Sequence, residues 1–257
     1  MPRLRPPRRL ASGEEATLVE HLGELRARLL ISIGSIVVLF PFFFAFHERL
    51  IGVLMRPLPD DKQLVTLGVT EPFMTSIKVS LAAAFAVALP VVLYQLWSFL
   101  APALEENTQR VVAIFSALAT VLFAVGVAFA YFIVLPKAVA FLTTFSSDLY
   151  DIQVRANMYF SFVTIALIGI GLAFEMPIFI LALVRLRVLS ADTLRRNRRM
   201  GIFLVVLVAV LLPTVDPVSL AFEVVPLLAL FELSIWLAAF MEKRWEREWL
   251  EATAEQV

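Results

Sequence analysis

Long uncharged apolar runs alternate with short charged segments along this chain, and the lengths of the runs carry the first structural information. Crossing the roughly 30 Å hydrocarbon layer takes about 20 helical residues. Six runs qualify as candidate spans, at about Leu29 to Phe46, Ser76 to Leu100, Val111 to Leu135, Phe160 to Val184, Met200 to Leu212 and Val218 to Phe240. Pro90 predicts a kink in the second, and Glu175 followed by Pro177 interrupts the fourth. The fifth is anomalous, because its 13 residues reach only about 20 Å at 1.5 Å per residue. Either the bilayer thins beside it or a partner helix covers the deficit.

Ahead of the first run the pattern changes to helical amphipathicity. Leu18, Leu22, Leu25 and Leu29 share one face, while Glu20, Glu24 and Arg28 share another. This predicts an interfacial helix that leads into the first span, with Ser12 and Glu15 as a capping box at its start. Two segments between spans are long enough for structure of their own. The first, 47 to 74, contains a turn at Leu58-Pro59-Asp60; the second, 136 to 159, holds Phe141, Phe145 and Tyr150 and reads as an interfacial cap.

Composition agrees with a polytopic membrane protein: 60% of residues are hydrophobic, and mean hydropathy is +0.86. Net charge is zero, with 22 Lys and Arg against 22 Asp and Glu, so no basic field suggests nucleic acid. Position is more informative than the total. Sixteen of the Lys and Arg residues lie on the side of the N-terminus, the 101 to 110 and 185 to 199 loops and the C-terminal tail; five lie on the other side. The rule that basic loops stay inside predicts both termini in the cytoplasm, with a tail at 1–17, a membrane domain at 18–240 and a second tail at 241–257. No apolar core precedes Leu18, so no cleaved signal peptide is expected. With no cysteine, and only His21 and His47, thiolate and metal chemistry are poorly supplied.

Few residues could carry chemistry. From spacing alone, Glu24 reads as an ordinary helical partner of Arg28. Glu175 lies in mid-span, where a carboxylate is costly and faces a polar cavity, a partner or a structural hydrogen bond. Glu223 and Glu232 are nine residues apart, about 180° around a helix, and are expected near opposite headgroup layers. A serine protease, a P-loop, an HExxH metal site and a nucleotide fingerprint are all missing from the pattern, which leaves a transporter, a channel or a membrane-embedded receptor.

Eight stretches together resemble the TatC family, the multispanning core subunit of the twin-arginine protein translocase. They are HLGELRARLL (21–30), Arg56-Pro57-Leu58, EPF (71–73), LPVVLYQLWSFLAPAL (89–104), GVAFAYFIVLP (126–136), FEMP (174–177), LPTVDPVS (212–219) and LFE (230–232). The likeness covers roughly residues 18 to 240. It implies an all-α polytopic fold of six transmembrane helices in a cupped arrangement, N-in and C-in, in the bacterial cytoplasmic membrane. It also implies a non-enzymatic receptor without cofactor or metal. This receptor binds twin-arginine signal peptides, joins TatA-type and TatB-type single-span partners, forms a homo-oligomer in contact with membrane lipid, and transports folded proteins on the proton motive force.

Residue by residue, the resemblance implies signal-peptide binding for Glu24, Arg26 and Phe99, an intramembrane function for Glu175, and partner or structural roles for Pro57, Asp216 and Glu232. The family's second rim Glu aligns with Thr108, and Glu105, just ahead of it, is expected to replace it. Pro213 and Leu220 stand where the family has polar residues. The alternative is a secondary transporter or channel that couples ions through Glu175, although the two halves of the chain show no internal symmetry.

Overall fold

The computed structural model describes residues 18–59, 62–100, 108–150, 152–212 and 216–254. Ser12, Glu15, Asp60, Pro102, Glu105, Glu106 and Pro213 lie outside them. The amphipathic stretch and first run form one helix, α1 (Leu18–Ala45), followed by α2 (His47–Met55) and α3 (Glu71–Leu100). Pro90 lies inside α3 and Pro41 inside α1, and neither ends its helix. The third run is α4 (Thr108–Phe129), a π-helical turn (Ala130–Val134) and α5 (Leu135–Thr144). Pro136 stands in the first turn of α5, where its missing N–H is tolerated, and the wider π turn precedes it.

The fourth run is divided into α6 (Ala156–Ala173) and α7 (Met176–Arg185) by Phe174 and Glu175. After the short α8 (Ala191–Arg196) come α9 (Arg198–Leu211) and α10 (Pro217–Ala254). Five segments are long and apolar enough to cross a membrane: His21–Ala45, Glu71–Leu100, Arg110–Thr144, Ala156–Arg185 and Pro217–Trp245. They correspond to every predicted span but the fifth, which is α9 with 14 residues.

In lipid, helices gain little from hydrophobic transfer and associate through close packing instead. Gly126 of α4 and Gly171 of α6 show this, since a Cβ on Gly126 would lie 2.8 Å from Phe174 Cβ and 2.9 Å from Gly171 Cα. One core cluster joins α3, α4, α7 and α10 around Trp97, Phe115 and Leu181. Another joins α3, α5 and α6 around Val79, Leu135 and Phe160, and a third joins α6, α9 and α10 around Ile170, Val205 and Phe231. α1 stays outside this core: it packs along α3, and none of its residues from His21 onward is buried.

The two long connecting segments close on each other. Leu64–Val65 (β1) pairs in parallel with Val154–Arg155 (β2), Leu64 opposite Val154. Arg155 forms an ion pair with Glu71. Glu71 Oε2 also accepts from the Leu67 and Gly68 amides at 2.7 and 3.2 Å, which holds the turn before α3. Lys78 Nζ donates to Asn157 Oδ1 at 2.5 Å and Ser161 Oγ at 3.0 Å, joining α3 to α6. Tyr131 and Tyr159 hydroxyls donate to the Val53 and Leu54 carbonyls at 2.7 and 2.9 Å, which pins the end of α2. Pro57 follows in the turn that directs Leu58 into the second core cluster. This clasp side is opposite the arginine-rich ends of α7, α8 and α9.

α10 continues through residue 240, where the membrane domain and C-terminal tail were divided from sequence, as one 38-residue helix. Beyond that position it still makes contacts. Glu242 accepts from the Ala191 amide at 2.9 Å, and the Arg185 guanidinium lies 5.0 Å from the Trp245 ring centroid.

Candidate functional site

The amphipathic start of α1 and the last turn of α3 meet on the arginine side. His21 stacks on Phe99 with ring centroids 4.4 Å apart. One turn further along, Arg28 donates to Glu24 Oε1 from Nε at 2.9 Å and from its terminal nitrogen as well. Arg28 also reaches Gln95 Oε1 at 3.4 Å, which ties the pair to α3. Both bonds from Arg28 fall on one carboxylate oxygen; among the described residues Glu24 Oε2 has no hydrogen bond. The helical pair foreseen from spacing therefore exists, and it leaves one edge of the carboxylate open. Glu24 is half-buried and Arg26 is exposed on the neighbouring face.

The structure thus brings Glu24 and Phe99 to the same end of α1 and α3. Glu105 lies outside the described residues, and Thr108 begins α4. Sequence reasoning missed His21 and Gln95. His21 lies within the quoted motif, but its partner is 78 positions away along the chain, and periodicity carries no such information.

Glu175 departs from expectation. A mid-span carboxylate is expected to face a polar cavity, a partner or a structural hydrogen bond, yet its side chain is 0% exposed, and both oxygens lack partners among the described residues. The cause is local geometry. Glu175 occupies the junction between α6 and α7 with φ −70° and ψ −14°, so the break turns it inward rather than ending a helix face at lipid. Its side chain does not cap α7. Glu223 also differs from the expected headgroup contact, being 1% exposed within the bundle.

Asp216 and Glu232 have definite local roles. Asp216 Oδ1 accepts from the Ser219 amide at 2.8 Å and caps α10, with Pro217 at its first position. Glu232 receives Nε and a terminal nitrogen of Arg198 in a two-pronged ion pair, which fastens the start of α9 to the middle of α10. Among the described residues no group of three His, Cys, Asp or Glu side chains could hold a metal.

The fold and site define a multi-pass helical membrane protein with a carboxylate and an aromatic pair at one rim and a clasp at the other. The comparisons with known proteins sharpen that class. The sequence model of the Sec-independent protein translocase protein (TatC) family matches residues 20–226. Sec-independent protein translocase protein TatCd of Bacillus subtilis is 34% identical over 241 residues, covering 94% of this chain and 99% of the relative. The TatC protein of Helicobacter pylori strain 26695 is 33% identical over 221 residues, 86% and 87% of the two chains. A crystal structure of the twin arginine translocase receptor TatC in the detergent DDM superposes with a TM-score of 0.76 at 36% identity, covering 85% of this chain and 99% of that one. The chain belongs to the TatC family and is a component of a Sec-independent, twin-arginine protein translocase.

Proposed function

We propose that this chain is the receptor subunit of its translocase and that Glu24 receives an arginine of the twin-arginine signal peptide. The observation that carries this reading is the open Oε2 edge of Glu24, beside the His21 and Phe99 rings. Arg28 holds the carboxylate in place from one side, and a planar guanidinium can approach the other with a directional, charge-assisted bond. An ammonium offers no such fork.

In this reading six helices cross the membrane, α9 being the short one, with both termini on the cytoplasmic side. The setting is the bacterial inner membrane, in a homo-oligomer with TatA-type and TatB-type single-span subunits, and folded cargo crosses on the proton motive force. The positive-inside count favours this orientation, since the arginine side carries sixteen Lys and Arg residues and the clasp side five. Binding of a fluorescent Arg-Arg signal peptide to purified protein, measured against its Lys-Lys version, tests the proposal. Tighter binding of the Arg-Arg peptide is expected; equal binding would return the balance to a channel or transporter working through Glu175.

The same assay examines the second rim acid. We infer that Glu105 takes the place of the family Glu aligned with Thr108: with Pro102 in the first turn of a helix running into α4, three positions would set Glu105 about 60° from Thr108 and Glu106 about 160° away. Glu105→Gln should weaken Arg-Arg peptide binding, Glu106→Gln should do little, and Thr108→Glu added to Glu105→Gln should restore most of the loss. Equal effects of the two Gln changes would mean that both acids only complement the helix dipole.

A further inference from the structure

On the arginine side, a cleft of about 380 Å³ opens between α8, α9 and α10, lined by Arg195, Arg198, Glu232, Ile235 and Trp236. A second hollow of about 380 Å³ is almost wholly apolar, lies between α6, α7, α9 and α10, and has Leu194, Gly201, Val208 and Phe231 among its lining residues. The two adjoin along α8 and α10. Leu194 and Arg195 are chain neighbours, as are Phe231 and Glu232, and Phe231 and Ile235 are one helical turn apart on α10. Gly201 lets this surface form, since a Cβ there would stand 2.1 Å from Phe231 Cζ.

The charges at the mouth are not balanced. Glu232 is occupied by both prongs of Arg198, while exposed Arg195 has no ion pair among the described residues. Arg196 and Arg199 are exposed nearby and add positive charge, against which Asp192 is the acid on α8. Trp236 is 69% exposed at the same mouth, in the amphipathic role that indole favours at a membrane interface. α9 adds a geometric reason for a headgroup here: 14 residues rise about 21 Å, so the polar layer must dip toward its ends.

We propose that the cleft and hollow together bind one anionic glycerophospholipid, its phosphate on Arg195 and the outer edge of Arg198 and an acyl chain along the groove under Leu194 and Phe231. The lipid fills the gap that the short α9 leaves in the wall. This inference needs only the membrane setting and is independent of signal-peptide recognition.

Native mass spectrometry of the purified protein, titrated with phosphatidylglycerol or with phosphatidylcholine of matched chains, provides the test. Phosphatidylglycerol should be retained in preference. Arg195→Gln should lower its retention about fivefold, the scale on which one basic side chain acts near an anionic surface, and Arg195→Lys should keep most of it. Val208→Trp, which fills the apolar groove from a partly exposed position, should also lower lipid retention while leaving inorganic phosphate binding unchanged. Thermal melts establish that each variant is folded. Equal retention of the two lipids, indifference to Arg195→Gln in a folded variant, or displacement of the lipid by inorganic phosphate at matching concentration would overturn the assignment. So would a groove that holds no lipid and takes only a single-span partner helix.

Discussion

Glu24→Gln is expected to lower the affinity for an Arg-Arg signal peptide about tenfold or more, because a hydrogen bond to a charged partner contributes roughly 1.5 to 3 kcal/mol. The fold should be indifferent to the change. The Glu24–Arg28 pair joins residues four apart on one helix, an arrangement worth about 0.2 to 0.5 kcal/mol, and α1 has no buried residue from His21 onward. Membrane insertion and thermal stability should therefore match those of the unmodified protein. A folded Glu24→Gln variant that binds the peptide normally would remove Glu24 from the site.

Glu175 carries the second large expectation. Its carboxyl is fully enclosed with neither oxygen bonded among the described residues, and such a group costs the fold about 1 to 3 kcal/mol. Glu175→Leu removes that cost, so the variant should melt later than the unmodified protein. We propose that the cost is kept for transport: Glu175→Gln should slow transport more than it weakens initial peptide binding, and Glu175→Leu should abolish the benefit of a polar group at this depth. The two measurements are independent. Normal transport by a stabilised Glu175→Leu variant would reduce the residue to a tolerated polar group beside the α6–α7 break.

Much of the architecture was legible in the sequence because the bilayer imposes a length on every crossing. Five of the six runs reappear as segments long enough to span, and the short fifth run reappears as a short α9. The pairing of Glu24 with Arg28 was legible for a similar reason, since it depends only on helical spacing. What the sequence concealed depends on distant contacts. The β1 and β2 strands are two residues each, too short to leave an alternating pattern, and the Glu71–Arg155 pair joins positions 84 apart. The azimuth of Glu175 was not legible because hydropathy gives a residue's depth in the membrane and nothing more. Only the turn at Phe174 and Glu175 decides whether the side chain meets lipid or the bundle. Glu223 was misplaced for the same reason.

The clasp has a mechanical consequence. Strand pairing, the Glu71–Arg155 ion pair and the two tyrosine bonds fix α2, α3 and α6 to one another at one rim. At the opposite rim α1 packs mainly on α3, and the Arg198–Glu232 fork joins the start of α9 to α10. In a body fixed at one rim, like a pair of tongs, a small angular fluctuation about that rim would become a displacement that grows in proportion to distance from it. On the proposed function, the Glu24 end of α1 and the arginine-bearing ends of α8 and α9 would be the jaws, where the displacement is largest and a signal peptide would be admitted.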